Sequence, residues 1–554
     1  MSGVGYRLEE SLEYRTLVPE ALSIWRMAGA NRMLFDCFDV DSKAARRSVA
    51  ILSSCLRIEC WGRDVVLRAL NSNGRALLAP LSEACPAQVT CLRDGDTLHW
   101  RFPQEESHAD EWRRLHGLSS LEALRRVLGT LGDAEGPVLL GGLFSFDLAE
   151  QFEPLPAPAE PARHCPDYLF LVPELLLDID HLARRTSLQA FVHDPAGHDR
   201  LAASLRQCAD EFHGAVEEAS ESPVAGVRAG NYQVDLDDAS FARQVERLQA
   251  HVRAGDVFQI VPSRSFSMPC ADPWRAYRQL CLRNPSPYRF FLDAGDFCLF
   301  GASPESALKY DAESREVELY PIAGTRPRGR DARGAIDAEL DNRLEAELRL
   351  DAKEIAEHMM LVDLARNDLA RVCRSGTRQV RDMLKVDRYS HVMHLVSRVA
   401  GELHGELDAL HAYRACLNMG TLVGAPKVRA MQLLRQYEDG YRGSYGGAIG
   451  ILDSAGNLDT SIVIRSAEVR EGIARVRAGA GVVLDSDPRL EAEETRNKAL
   501  AVLTAVAAAE RERGERDAHH AVGQLRLASI KLHRVPWRKC KLLICIDVTS
   551  LMVW

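Results

Sequence analysis

Several common signals are missing from this chain, and each gap removes a class of function. The fourteen cysteines are scattered and none forms a Cys-x-x-Cys pair, which argues against a zinc ribbon or a dithiol redox motif. Cys281, Cys298 and Cys416 sit in apolar or mixed surroundings and read as small core hydrophobes held reduced. Positive charge is not in surplus: the formal net charge is −10, so a nucleic-acid partner has no electrostatic footprint. No apolar run approaches the roughly 18–20 residues needed to span a bilayer. The opening "MSGVGYRLEESLEYR" carries no apolar signal-peptide core. A cytoplasmic protein without a membrane partner is expected. No repeat of solenoid period is present.

What remains is an ordinary globular composition, 46% hydrophobic and 27% charged, over 554 residues. That length exceeds the roughly 250–300 residues at which a single core stops growing. The small, polar, acidic stretch at 213–230 reads as a connection. It precedes "DDASFARQVERLQAHVRAGD", a helix whose cap is Asp237 or Asp238. Residues 1–225 then form an N-terminal region, 226–512 a core region, and 513–554 an atypical basic-then-apolar tail without clean helical or strand period, read as disordered or as a docking segment. Both regions mix strands ("YLFLVPELLLDID", "FCLFGASPE", "GAIGILDS") with blocks of helix. The fold class expected is α/β in the α+β sense: a large sandwich of mixed or antiparallel sheets with covering helices.

Two helical stretches carry carboxylates three residues apart, Glu354 and Glu357 in "LDAKEIAEHMM", and Glu491 and Glu494 in "LEAEETRNKAL". Such pairs share a helix face. Two such faces across a cleft would suit Mg²⁺, which takes one or two carboxylates plus waters and substrate oxygens; a solvated face is the plainer explanation of either pair alone. "PIAGTRPRGR" places Gly324, Thr325 and three arginines behind a strand; the arginines could serve a carboxylate or form an exposed basic turn. "AGAG" brings Gly479, Ala480 and Gly481 to a strand end, where amides can cradle an anion or simply turn. His391 and His394 lie in an apolar, helix-like stretch, where a hydrogen-bonded core histidine is the commoner case. Thr421 and Lys427 mark the entry to another helix.

In order along the chain, "FQIVPSR", "NPSPYRFF", "GASPES", "PIAGTRPRGR", "HMMLVDLARNDLAR", "GAPKVRAM", "DTSIVIRSA" and "EETRNKA" resemble the chorismate-utilising enzymes, most closely anthranilate synthase component I, over about residues 10–510. The resemblance implies an active site between two halves of an α/β sandwich, Mg²⁺ as cofactor, and chorismate and ammonia as substrates. It implies that Glu357 and Glu494 contact the metal, with Glu354 and Glu491 in support. Gly324, Thr325, Tyr445, Arg465, Gly479, Ala480, Gly481 and Lys498 match the family's chorismate contacts. Glu305 matches its general acid, which must be protonated, with a pKa raised by burial near the other glutamates. His394 matches the residue tied to pyruvate elimination, with Thr421 beside it; base or orienter is left open. Gln259 and Ala323 stand where relatives that add water or form a lysine adduct carry lysine, which leaves direct ammonia addition at C2. The alternatives are a 2-amino-2-deoxyisochorismate synthase, an aminodeoxychorismate synthase component I, and a non-catalytic amino-acid-sensing paralogue. No glutaminase nucleophile elbow is present, so a separate glutaminase (component II) subunit is expected, in a heterotetramer of two large and two small subunits.

Feedback-regulated members carry Leu-Leu-Glu-Ser on the strand where this chain has Phe35-Asp36-Cys37, and methionine where it has Arg289 after Pro287-Tyr288. Asp36, Cys37, Pro287, Tyr288 and Arg289 are therefore expected to line an altered tryptophan-type pocket. Weak tryptophan inhibition, or none, follows, as would suit supply of a secondary product such as a phenazine or quinolone.

Overall fold

The computed structural model describes residues 5–15, 29–39, 44–104, 110–132, 136–214, 226–331, 333–389 and 392–533, with side chains to residue 514. Its strands join into one continuous, self-closing antiparallel network covered by helices, apart from a separate two-stranded pair, Gln259–Ile260 with Gly424–Ala425. The apolar run Tyr168–Asp180 is buried along most of its length because it pairs on both sides, with Ala45–Trp61 and with Arg185–Val192. Strands from the two sequence regions pair directly. Arg32–Phe38 lies against Tyr288–Asp293, and Leu139–Phe144 against Ala448–Asp453. The connection between the regions is therefore a feature of the chain rather than a gap between sheets; its residues 215–225 lie outside those described.

Helix starts follow local chemistry. Asp237 accepts from the Ser240 amide at the head of Asp238–Arg253. Asp351 accepts from Lys353 and Glu354 amides at the head of Ala352–Ala370. Asp487 accepts from Arg489 and Leu490 amides where Pro488–His533 begins; such caps are worth about 1 kcal/mol each. The last two set the angular position of the glutamates that follow. The tail expectation is corrected in part: helix continues unbroken through 513–533, since Ala, Arg, Glu and Lys there favour it. Residues 534–554 lie outside those described. His394 also departs from its helix-like reading. It lies on the strand Val392–Glu402, where Val392, Val396 and Val399 favour the extended chain.

Candidate active site

A cleft of about 690 Å³ opens between the strand ends and the two glutamate-bearing helices, a volume that suits a small ring compound. Its wall is built by register. Ile322–Pro327 pairs with Val392–Glu402 so that Thr325 faces His394, with a bulge between Ala323 and Thr325. Gly324 sits in that bulge at φ +70, a conformation glycine adopts without strain. Ser263–Pro269 pairs with Ile473–Gly479, which brings Ser263 opposite Gly479 on the floor. A side chain at Gly479 would meet the Pro262 carbonyl at 2.7 Å and the Tyr445 hydroxyl at 3.0 Å, so the close floor requires glycine.

Glu305 is buried at 7% exposure, and burial pushes its carboxyl up to about 8. The Thr421 hydroxyl donates to Glu305 Oε1 at 3.0 Å and, with Lys498 and Arg465, only partly offsets that rise. The expected cause is thus half corrected: burial raises Glu305, and its charged neighbours are cations rather than glutamates. The placing of Thr421 is corrected too, since it serves Glu305, and the hydroxyl beside His394 belongs to Thr325. His394 Nδ1 lies 3.0 Å from Thr325 Oγ1 and 3.1 Å from the Gly324 carbonyl oxygen. A carbonyl only accepts, so Nδ1 carries the hydrogen and Nε2 the lone pair. Burial holds the imidazole down to about 4, with Arg465 and Lys498 adding to the effect, so it is neutral at pH 7.

Arg465 lines the cleft. No hydrogen bond or ion pair engages its guanidinium among the described residues, and burial lowers its pKa. A half-buried cation without a partner is a ready site for a carboxylate. Lys498 donates to the Gly479 carbonyl at 3.0 Å and pairs with Glu494 at 2.6 Å. Tyr445, Gly479 and Gly481 line the same cleft, as do Gln259 and Ala323; Ala480 is fully buried between the two glycines.

Glu354, Glu357, Glu491 and Glu494 all face the cleft. Glu354 is paired with Arg326 at 2.9 Å and Glu357 with Lys353 at 3.7 Å. Burial raises Glu357, and the charges of Glu354 and Glu494 raise it further. Burial and the neighbouring Glu494 push Glu491 up to about 7, while Lys498 outweighs burial to hold Glu494 below its ordinary value. Of the two, Glu491 therefore keeps its proton to the higher pH. Glu491 Oε2 is buried without a hydrogen-bond partner. Among the described residues no three His, Cys, Asp or Glu side chains close into a ready cation cage. An oxygen-only set with mutually repelling carboxylates and one orphaned acceptor fits a hard cation that keeps water and substrate oxygens as its other ligands.

The arginines of "PIAGTRPRGR" do not serve the cleft. Arg326 pairs with Asp351 and Glu354, Arg328 forks onto Asp341, and Arg330 donates to the Gly334 carbonyl. Lys427 is likewise spent on buried Asp368 at 2.5 Å. His391 lies outside the described residues.

Strand alternation divides Asp36, Cys37, Tyr288 and Arg289 between two faces of the sheet. Asp36 faces Arg289 across the strands, and Cys37 faces Tyr288. Burial raises the Asp36 carboxyl, while Ser48 and Arg289 lower it; the Arg289 guanidinium lies 4.3 Å from the Phe38 ring centre. On the other face the Cys37 thiol and the Tyr288 hydroxyl reach Asp459 at 3.7 and 3.5 Å, beside Lys309. Of the five expected pocket residues, only Pro287 and Tyr288 line the adjoining 260 Å³ cavity.

Arg477 also lines the cleft and was not anticipated. Its signal was the alternation in "ARVRAGAG": Arg477 stands two residues before Gly479 and so shares its face.

The chorismate binding enzyme family matches residues 85–504 of this chain. Anthranilate synthase component 1 of Escherichia coli K12 is 52% identical over 86% of this chain and 92% of that protein. The protein of the same name from Vibrio cholerae is 49% identical over 90% and 96%. The crystal structure of anthranilate synthase component I from Streptococcus pneumoniae TIGR4 is similar in fold, with a TM-score of 0.61 and 29% identity over 83% of this chain and 92% of that one.

Proposed function

The chain belongs to the chorismate binding enzymes, and from that membership we propose that it is the aminase subunit of an anthranilate synthase, with residues 1–225 forming the regulatory-type region and 226–512 the chorismate-binding region. The observation that carries the reading is Glu305: a buried carboxyl, neutral at pH 7, whose Oε1 accepts from Thr421, so that Oε2 holds a proton for a leaving hydroxyl.

Chorismate brings two carboxylates, and unpaired Arg465 takes one of them in a forked, charge-assisted pair. The Gly479–Gly481 turn and Tyr445 close against it. Ammonia forms the new C–N bond at C2, the C4–O bond breaks, and Glu305 delivers its proton so that water leaves. His394 Nε2 then takes the C2 proton; the C3–O bond breaks, and the enolpyruvyl methylene gains a proton as pyruvate departs, leaving the aromatic ring. The neutral state of His394 supports this second stage, and hence anthranilate over 2-amino-2-deoxyisochorismate. Gln259 and Ala323 in the cleft supply neither a lysine to activate water nor one to form an adduct, which speaks against an aminodeoxychorismate synthase. Glu357 and Glu494 would hold Mg²⁺, with Glu354 and Glu491 in support. When bound, the ion supplies charge neutralisation and electron withdrawal at a substrate carboxylate.

Ammonia comes from a separate glutaminase subunit, in an assembly of two large and two small subunits. The enzyme is cytoplasmic; no helix among the described residues is long and apolar enough to cross a membrane. Tryptophan inhibits it weakly or not at all. In support, Asp36 and Arg289 stand opposite one another across the strands, where the cation lowers the buried acid, and Cys37 and Tyr288 are engaged by Asp459. Purified protein with chorismate, ammonium and Mg²⁺ is expected to generate anthranilate fluorescence that chelation abolishes. Folded protein that forms no anthranilate sinks the reading, and chromatography of the products separates the two amino-deoxy alternatives.

A further inference from the structure

Beneath the cleft floor lies a buried ion cluster that the reaction described above does not use. Glu438 caps the end of the helix Lys427–Tyr437 and is 7% exposed. Its Oε1 accepts from the Ser263 amide at 2.9 Å, the Ser263 hydroxyl at 2.9 Å and Arg442 at 2.6 Å. Its Oε2 accepts from Arg442 and Arg477, each at 2.8 Å. Five donors on one carboxylate outweigh burial and hold it down to about 2, so it is charged at every working pH.

Its partners reach three walls of the cleft. Arg442 donates to the Leu422 and Val261 carbonyls, each at 2.7 Å. The first is the residue after Thr421; the second lies two residues past Gln259 and itself lines the cleft. Arg477 donates to the Ser263 hydroxyl at 2.8 Å and the Tyr441 carbonyl at 3.2 Å. Ser263 is the strand partner of Gly479. One carboxylate against two guanidinium groups leaves one positive charge uncompensated. It lies close enough to Tyr445 that both arginines oppose the rise burial imposes on the phenol. Elsewhere in the cleft Lys353 pairs with Glu357 and Lys498 with Glu494, and among the described residues Arg465 alone is free.

We propose that the Glu438–Arg442–Arg477 cluster is a second anion-recognition element of the cleft, in which Glu438 positions Arg477 so that its surplus charge, acting through the Tyr445 hydroxyl and the Gly479 floor, selects a dicarboxylate over a monocarboxylate. The proposal rests on the chorismate reading for the identity of the ligand, but not for the charge count. Arg465 can fork onto one carboxylate; the cluster adds a positive field at the other, beside the neutralisation that a bound metal would supply, so the probes are compared with chelator present. A unit charge acting across a partly desolvated site changes affinity by roughly tenfold at an effective dielectric near 20.

The test uses the intact protein and two inert probes, isophthalate and benzoate, with binding read by calorimetry alongside chorismate KM and kcat. Arg477→Gln is expected to weaken isophthalate about tenfold and benzoate less than about threefold, and to raise chorismate KM with kcat nearly unchanged. Arg477→Lys keeps the charge and is expected to retain the discrimination between the probes even where its forked contacts are lost. Glu438→Gln removes the one negative charge of the cluster and is expected to disturb the floor and lower kcat while strengthening the preference for the dicarboxylate; an unchanged or weakened preference counts against the charge argument. Equal weakening of both probes by Arg477→Gln, or loss of discrimination in Arg477→Lys, overturns the proposal and reduces the cluster to a structural tie. Because the probes do not react, discrimination without anthranilate formation would overturn the proposed activity and leave this inference standing.

Discussion

Replacing Glu305 by glutamine should make the protein more stable and inactive at once, and the two effects can be separated by pH. The side chain keeps its shape, and Gln Oε1 still accepts from Thr421. What disappears is the proton and the cost of ionising a buried acid. In the wild type the carboxyl rises from 4.5 to about 8. The folded state therefore binds the proton more tightly than the unfolded chain, and the stability this group contributes is fully present below pH 4.5 and is lost as pH climbs through 8. At about 1.36 kcal/mol per tenfold change, the loss relative to acid conditions is about 1.5 kcal/mol at pH 5.5, about 3 kcal/mol at pH 7 and close to 5 kcal/mol at pH 9. Glutamine does not titrate, so the stability gap between variant and wild type should open by those amounts. Urea unfolding midpoints of both proteins from pH 5.5 to 9 measure it. Over the same range the variant should lose about 10²–10⁴ in turnover as a general acid is removed, while wild-type turnover at saturating ammonia falls above about pH 8. A gap that stays flat with pH, or a variant that turns over like wild type, refutes the reasoning.

Thr421→Val removes the hydroxyl that lowers Glu305 and should move the alkaline limb of the pH–rate profile upward while reducing the maximal rate; a limb that moves down contradicts the assignment. Gly324→Ala forces a side chain onto φ +70 with its Cβ 3.1 Å from Glu354 Oε2; a loss of about 1–3 kcal/mol in stability is expected, together with slower elimination through a displaced His394, measured by thermal unfolding and product analysis. Micromolar tryptophan should leave wild-type turnover unchanged. The triple variant Asp36→Glu, Cys37→Ser, Arg289→Met should gain inhibition, and an inhibition curve that is the same before and after refutes the assignment of those positions. Glu357→Ala or Glu494→Ala should abolish the dependence of turnover on Mg²⁺ along with the activity; retention of both counts against the metal assignment.

Local chemistry made much of this protein legible in its sequence. Asp237 and Asp351 cap their helices because a short carboxylate ahead of an amphipathic run satisfies free amides whatever the surroundings. Tyr168–Asp180 is a buried strand because no other arrangement covers so apolar a segment. The i, i+3 glutamates share a face by helix geometry alone, and the order of motifs points to the family. Partner choice across the fold was another matter. Arg326 and Arg465 are chemically alike in sequence, yet one is consumed by Asp351 and Glu354 while the other stands free in the cleft. Thr421 reaches Glu305 rather than His394, and the bulge at Gly324 turns Thr325 toward His394 instead.

The sequence by itself determined most element types, the family and most of the reactive side chains, since these depend on neighbours a few residues away. Only the tertiary structure decided which carboxyl stays protonated, which arginine is free, and which strand face Asp36 and Cys37 occupy. Those outcomes depend on burial, and on charges brought together from positions more than a hundred residues apart, such as Glu305 with Thr421 and Ser263 with Glu438.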